Sequence, residues 1–109
     1  MPLVAFIGGD YICVHGGISP ELKSMKSLEG IDRFAEPPSK GLFCDLLWAD
    51  PALDDKADEE AFSKNKSRSC SVRYGYEPLK KILDKLGAKM LVRGHEVQQE
   101  GYKMYRWNT

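Results

Sequence analysis

This chain has little of most things that would advertise a specialised class. Its 109 residues carry 16 acidic and 16 basic side chains, a formal net charge of zero. No overall field therefore draws it to nucleic acid or to an anionic membrane, and neither partner is expected. Cysteine is scarce and odd in number: Cys13, Cys44 and Cys70, with no Cys-x-x-Cys pair. That argues against a disulfide framework and for free thiols in a reducing compartment, so a cytoplasmic protein is expected. No apolar run approaches membrane-spanning length, and no charged n-region with a cleavage site opens the sequence. Internal repeats and low-complexity stretches are also missing. Histidine is scarce as well, with only two copies.

What is present suits one modest domain. Apolar content is 42%, enough to rule out a disordered composition. Residues 3–7 and 11–14 are β-rich runs around Gly8-Gly9-Asp10 and read as a hairpin. Ser19-Pro20-Glu21 has the order of a helix start, and a short polar helix to about Leu28 is expected. A further turn is expected around 31–33, before Pro37-Pro38. Residues 42–48, Leu-Phe-Cys-Asp-Leu-Leu-Trp, are a buried strand or a short helix, and seven residues are too few for periodicity to decide. Residues 52–66 turn acidic and then polar, as a surface loop with one turn of helix at most.

The clearest element begins at Tyr76-Glu77-Pro78. Leu79, Ile82, Leu83 and Leu86 share one helical face, Lys80, Lys81, Asp84 and Lys85 take the other, and Gly87 is a natural C-cap. A strand over 89–92 then runs to His95. The alternation in Tyr102-Lys103-Met104-Tyr105-Arg106-Trp107, after a turn at Gly101, predicts a half-buried strand. Strands separated by helices make the chain α/β or α+β.

Both histidines leave a strand beside glycine: Val14-His15-Gly16-Gly17 and Val92-Arg93-Gly94-His95-Glu96. Such a position suits a metal ligand, because the strand fixes the backbone and a neutral imidazole offers a lone pair. The alternative is two strand-capping rings satisfied by ordinary hydrogen bonds. Arg68 sits in a polar loop, Lys64-Asn65-Lys66-Ser67-Arg68-Ser69-Cys70-Ser71, and is either a solvated cation or a guanidinium that grips phosphate oxygens in pairs. Asp50 orients a ligand or moves a proton, or is simply the Asp of an Asp-Pro turn. Trp48 is expected in the core, and Arg93 is expected to pair structurally with a carboxylate. None of the cysteines has the flanking His or basic cluster of a nucleophile.

Taken together, four blocks carry a resemblance: Val14-His15-Gly16-Gly17-Ile18-Ser19-Pro20, Cys44-Asp45-Leu46-Leu47-Trp48-Ala49-Asp50-Pro51, Arg68-Ser69-Cys70-Ser71 and Arg93-Gly94-His95-Glu96. In that order they resemble the C-terminal part of a phosphoprotein phosphatase catalytic core, the two-metal Ser/Thr phosphatases. Asp32-Arg33-Phe34-x-Glu36-Pro37-Pro38 and His95-Glu96-x-Gln98-x-x-Gly101-Tyr102-x-Met104-Tyr105-Arg106 resemble the calcineurin catalytic branch. The Trp-x-Asp-Pro block speaks against a nucleotide phosphodiesterase.

The resemblance implies a partial metallophosphatase-type β-sandwich flanked by helices. It makes His15 and His95 ligands of one metal ion, Arg68 the arginine that binds substrate phosphate, and Asp50 a supporting acid of the catalytic site. The family's cofactors are two ions, iron with zinc or manganese, and this chain supplies ligands for only one. Both ions and the arginine would stabilise charge developing on phosphorus. Phosphoproteins are the implied substrates. A calcium-binding regulatory subunit and calmodulin are the implied partners, through regions outside these residues. The family's Gly-Asp-x-His-Gly, Gly-Asp-x-Val-Asp-Arg-Gly and Gly-Asn-His-Glu motifs do not occur here. Residues 1–109 are therefore expected to be a C-terminal fragment of the catalytic domain, inactive alone. A non-catalytic, partner-binding module that keeps the fold elements is the alternative, with open strand edges favouring self-association. Two small departures from the family pattern are Gly94 in place of Ala and Ser69 in place of Gly.

Overall fold

The computed structural model describes residues 2–52 and 62–105. In chain order the elements are β1 (Val4–Ile7), β2 (Tyr11–Val14), α1 (Met25–Glu29), α2 (Leu42–Trp48), β3 (Asp50–Pro51), β4 (Ser63–Lys64), β5 (Val72–Tyr74), α3 (Tyr76–Leu86) and β6 (Met90–Arg93). Two small sheets result, with strand orders β1-β2-β6 and β3-β5-β4. The architecture is mixed α and β, as the sequence predicts.

The first hairpin follows from its turn. Gly8 and Gly9 take φ of +61° and +77°, a region that strains any residue with a side chain. β1 and β2 then pair antiparallel, with Ile7 opposite Tyr11 and Val4 opposite Val14. β6 joins the other edge of β2 in parallel, Tyr11 opposite Met90 and Val14 opposite Arg93. In the second sheet β3 pairs parallel to β5, and β4 pairs antiparallel to β5.

α3 spans the residues its periodicity predicts. Gly87 ends it at φ +71°, its N–H shared between the Asp84 and Leu83 carbonyls. Pro78 and Ile82 are buried on its inner face. Ile82 packs with Ile18, Leu22, Ala49 and Tyr74 in one cluster, while Ile12, Val14, Leu46 and Ala88 form a second. Leu28, Leu42, Leu86 and Leu91 touch both clusters and join them. Each fully buried Ile or Leu contributes roughly 2 kcal/mol by leaving water.

Residues 42–48 are a helix, and Cys44, Asp45 and Leu46 are its buried residues. Trp48 is not core: at the last turn of α2 its side chain points outward, 40% exposed. The helix expected from Ser19 is displaced. Ser19 is fully buried, and its hydroxyl donates to Asp45 Oδ2 at 2.5 Å while accepting the Glu21 N–H at 3.1 Å. That tether holds a turn at Pro20, and Leu22 enters the core. α1 starts only at Met25, capped by Ser24, whose N–H is accepted by the Ser27 hydroxyl.

The loop expected over 52–66 contains β4 at Ser63–Lys64 and a fully buried Asn65, while residues 53–61 lie outside the described residues. Gly101 makes its turn, its N–H bonded to the Gln98 carbonyl. Tyr102–Tyr105 forms no strand, and positions 106–107 of the expected strand lie outside the described residues. Alternation marks a chain able to lie on a sheet, but no ladder receives it among the described residues.

Candidate active site

Parallel neighbours end on the same side of a sheet, so β2 and β6 deliver their following residues to one place. His15 follows β2, and the Gly94 N–H extends the ladder by donating to the His15 carbonyl at 3.1 Å. His95 comes next, turned by a left-handed φ of +66°. The two imidazoles, far apart in the chain, lie with ring centroids 4.7 Å apart and planes tilted by 55°. The Trp48 ring stands edge-on to His95 at 5.5 Å.

The glycines beside His15 are required by close approach. A Cβ on Gly16 would stand 2.5 Å from the Leu47 carbonyl carbon, and one on Gly17 would stand 2.3 Å from the Tyr74 ring. The loop after β2 therefore lies directly on the end of α2 and on β5. At Gly94 the opposite holds: a Cβ would reach His15 Nδ1 at 3.8 Å, an ordinary contact. The family's alanine would fit there without strain.

Asp50 is the centre of the polar network. Its side chain is 1% exposed and accepts hydrogen bonds from Arg68 Nε at 3.0 Å, Asn65 Nδ2 at 2.9 Å and Arg93 Nη2 at 2.7 Å. Burial alone would raise its carboxyl pKa. The hydrogen bonds from Arg68 and Asn65, with the charges of Arg68 and Arg93, outweigh burial and hold it below the usual range. Asp50 opens β3 and is not a simple turn residue.

Arg68 reaches His95. Its Nη2 donates to the His95 carbonyl at 3.0 Å while Nε holds Asp50, and 27% of the side chain stays exposed. Ser69 beside it takes φ +59° and Ser71 takes φ +65°. The residue that replaces the family's glycine thus occupies the conformation glycine adopts at least cost. Arg93 makes the carboxylate pair its sequence suggests, and more. It bonds Asp50, Glu96 at 2.9 Å, and the carbonyls of Gly16 and Ala49.

Burial holds His95 below its ordinary pKa, against the pull of Asp50, so the ring is neutral near pH 7. Its Nδ1 is buried and 3.3 Å from Asp50 Oδ1, yet no hydrogen bond forms there. A buried ring nitrogen without a hydrogen bond, on a ring 4.7 Å from a second imidazole, suits a metal ion better than a strand cap. The fit is partial. Among the described residues no three His, Cys, Asp or Glu side chains gather into a metal site.

Two positioning residues, Asp45 and Asn65, escape the sequence reading. Asp45 takes the hydroxyls of Ser19 and, at 2.6 Å, Ser71, and so ties the Arg68 turn to α2. Asn65 donates to both Asp50 and the Trp48 carbonyl. A lone Asp inside an apolar run was the one signal available for Asp45. Nothing local marks Asn65.

A family model for calcineurin-like phosphoesterases matches residues 1–99. The chain belongs to the calcineurin-like phosphoesterase family. It is 46% identical over 99% of its length to the serine/threonine-protein phosphatase 2B catalytic subunit A1 of Saccharomyces cerevisiae, and 39% identical over 97% to subunit A2. It spans about a fifth of the length of these curated relatives, 21% and 22%. A solved protein serine/threonine phosphatase from Saccharomyces cerevisiae, with similarity to human phosphatase PP5, superposes with a TM-score of 0.76 at 28% identity. That match covers 90% of this chain and 29% of the other. The described sheets and helices thus match part of a serine/threonine phosphatase fold.

Proposed function

We propose that this chain is the C-terminal part of the catalytic domain of a calcineurin-like protein serine/threonine phosphatase, acting on phosphoserine and phosphothreonine in phosphoproteins. The carrying observation is the meeting of His15 and His95 at the ends of two adjacent parallel strands. In this reading the two imidazoles hold one ion of a two-metal centre, iron with zinc or manganese. The metals supply Lewis-acid stabilisation of charge on the phosphoryl oxygens. Arg68 grips the substrate phosphate, its guanidinium oriented by Asp50 and by the His95 carbonyl. Asp50 positions Arg68 and the His95 ring together, and Arg93 holds Asp50 in place. A calcium-binding regulatory subunit, calmodulin and a cytoplasmic location complete this proposal.

Two imidazoles cannot hold a dinuclear centre, so the chain alone has negligible activity. Purified chain with manganese should leave a chromogenic phosphate ester unhydrolysed, and turnover at the rate of a complete enzyme overturns that. Zinc titration by calorimetry should show one weak site, lost in His15→Ala and in His95→Ala. Unchanged zinc binding in both variants would refute the shared-ion reading.

A second reading rests on a different observation. Val92, Val97, Tyr102 and Met104 are large apolar side chains between 46% and 94% exposed. Such a strip suits a partner-binding module or self-association of the chain. A clean monomer by size-exclusion chromatography at high concentration speaks against self-association.

A further inference from the structure

The segment around Arg68 carries charge of one sign. Residues 62–75 hold Lys64, Lys66, Arg68 and Arg73 and no acidic side chain. Between β4 and β5 the turn is closed by the Asn65 N–H, which donates to the Ser71 carbonyl at 3.3 Å. Of the serines in that turn, Ser71 is committed to Asp45. Ser67 differs: it is exposed, and its hydroxyl accepts a hydrogen bond from Arg73 Nη2 at 3.0 Å. Arg73 is half-buried in β5, and its Nη1 is fixed on the Pro51 carbonyl at 2.7 Å. Among the described residues no carboxylate pairs with Arg73, and both of these hydrogen bonds go to uncharged oxygens. A guanidinium held in place on neutral acceptors is ready to receive an anion.

We infer that Ser67 is a phosphorylation site whose phosphate is received by Arg73, joining the Arg68 turn to β5 and, through Pro51, to β3. The phosphoryl donor is ATP, bound to a serine kinase with an acidic cleft that Lys64, Lys66 and Arg68 complement on either side of the target. The Ser67 hydroxyl oxygen attacks the γ-phosphorus, the bond from that phosphorus to the bridging oxygen breaks, and ADP leaves. The hydroxyl proton passes to the kinase's base. One serine and one ATP thus give one phosphoserine, ADP and a proton. Modification places roughly two negative charges and strong acceptor oxygens where one neutral hydroxyl stood. The bond from Arg73 then becomes charge-assisted. Solvent reaches Ser67, so the gain in stability is small.

Neither the site nor its test depends on the phosphatase reading. The intact chain is incubated with ATP and a basophilic serine kinase, and modified residues are mapped by mass spectrometry. Phosphate is expected on Ser67 and should vanish in Ser67→Ala, an exposed change that leaves the fold alone. A chain left unmodified overturns the proposal, as does phosphate on Ser69 or any other serine with Ser67 untouched. Phosphorus NMR then reads the pairing. The phosphoserine should lose its second proton below the ordinary value of about 6, because Arg73 favours the dianion. Tm should rise by about 3 °C, and dephosphorylation should remove the rise. Arg73→Lys keeps a cation without the planar fork, and Arg73→Gln removes both, so the midpoint should climb back in that order. A midpoint equal in wild type and Arg73→Gln overturns the receptor role.

Discussion

β6 has two very different surroundings. At its C-terminal end Arg93 enters a network in which Asp50 takes three side-chain hydrogen bonds at 1% exposure. Along its flank, Met90 and Val92 are 40% and 46% exposed, beside the open stretch Tyr102–Met104. At the polar end the charges of Asp50 and Glu96 are met by Arg68 and Arg93. The apolar flank presents surface that water covers. Position along one strand therefore decides whether a substitution breaks the fold or leaves it untouched.

The sharpest test of that contrast is Asp50→Ala. It strands two guanidiniums, one of them 11% exposed, and should cost about 3 kcal/mol in urea unfolding. Solvent at the more exposed Arg68 keeps the loss at the low end of that class. The stabilisation is pH-dependent, with a sign that follows from the lowered carboxyl. Asp50 loses its proton more readily folded than unfolded, so its contribution is complete above the ordinary value of 3.8 and fades as pH falls through the lower folded value. The gap between wild type and variant should narrow below pH 4 or so; a gap that stays constant into strong acid contradicts the network.

Gly17→Ala is the intermediate case. The added methyl meets the Tyr74 ring at 2.3 Å, and about 2 kcal/mol of overpacking is expected. Trimming the ring in a Gly17→Ala/Tyr74→Leu double variant should cost less than the sum of the single changes, which chemical denaturation measures. On the flank, Val92→Thr should move stability by no more than about 0.5 kcal/mol. A loss comparable to that of Asp50→Ala would show the flank to be covered in solution.

How much of this was legible depends on how local each cause is. α3 could be read to the residue because periodicity and a glycine cap lie within its own span. The first hairpin was legible from two adjacent glycines. Residues 42–48 stayed ambiguous because Cys44, Asp45 and Leu46 are buried in succession, which erases amphipathic period. The helix start at Ser19 failed because its hydroxyl was committed to Asp45, far along the chain. At the site, each histidine's strand-end context was visible separately. Their meeting was not, since it depends on the parallel pairing of β2 with β6, which no short pattern encodes. Asn65 and Arg93 act through contacts with distant segments, so their positions in the polar network are set by tertiary structure alone.

That pairing has a consequence for how the protein is made. Tyr11 must wait for Met90, about 80 residues of translation later, before its ladder can close. Until then the nascent hairpin offers a bare rim to the ribosome's surroundings, and His15 has no companion ring. The two rings can therefore meet only after residues 90–95 have been made, and a chain cut between β2 and β6 would keep the hairpin without the paired histidines.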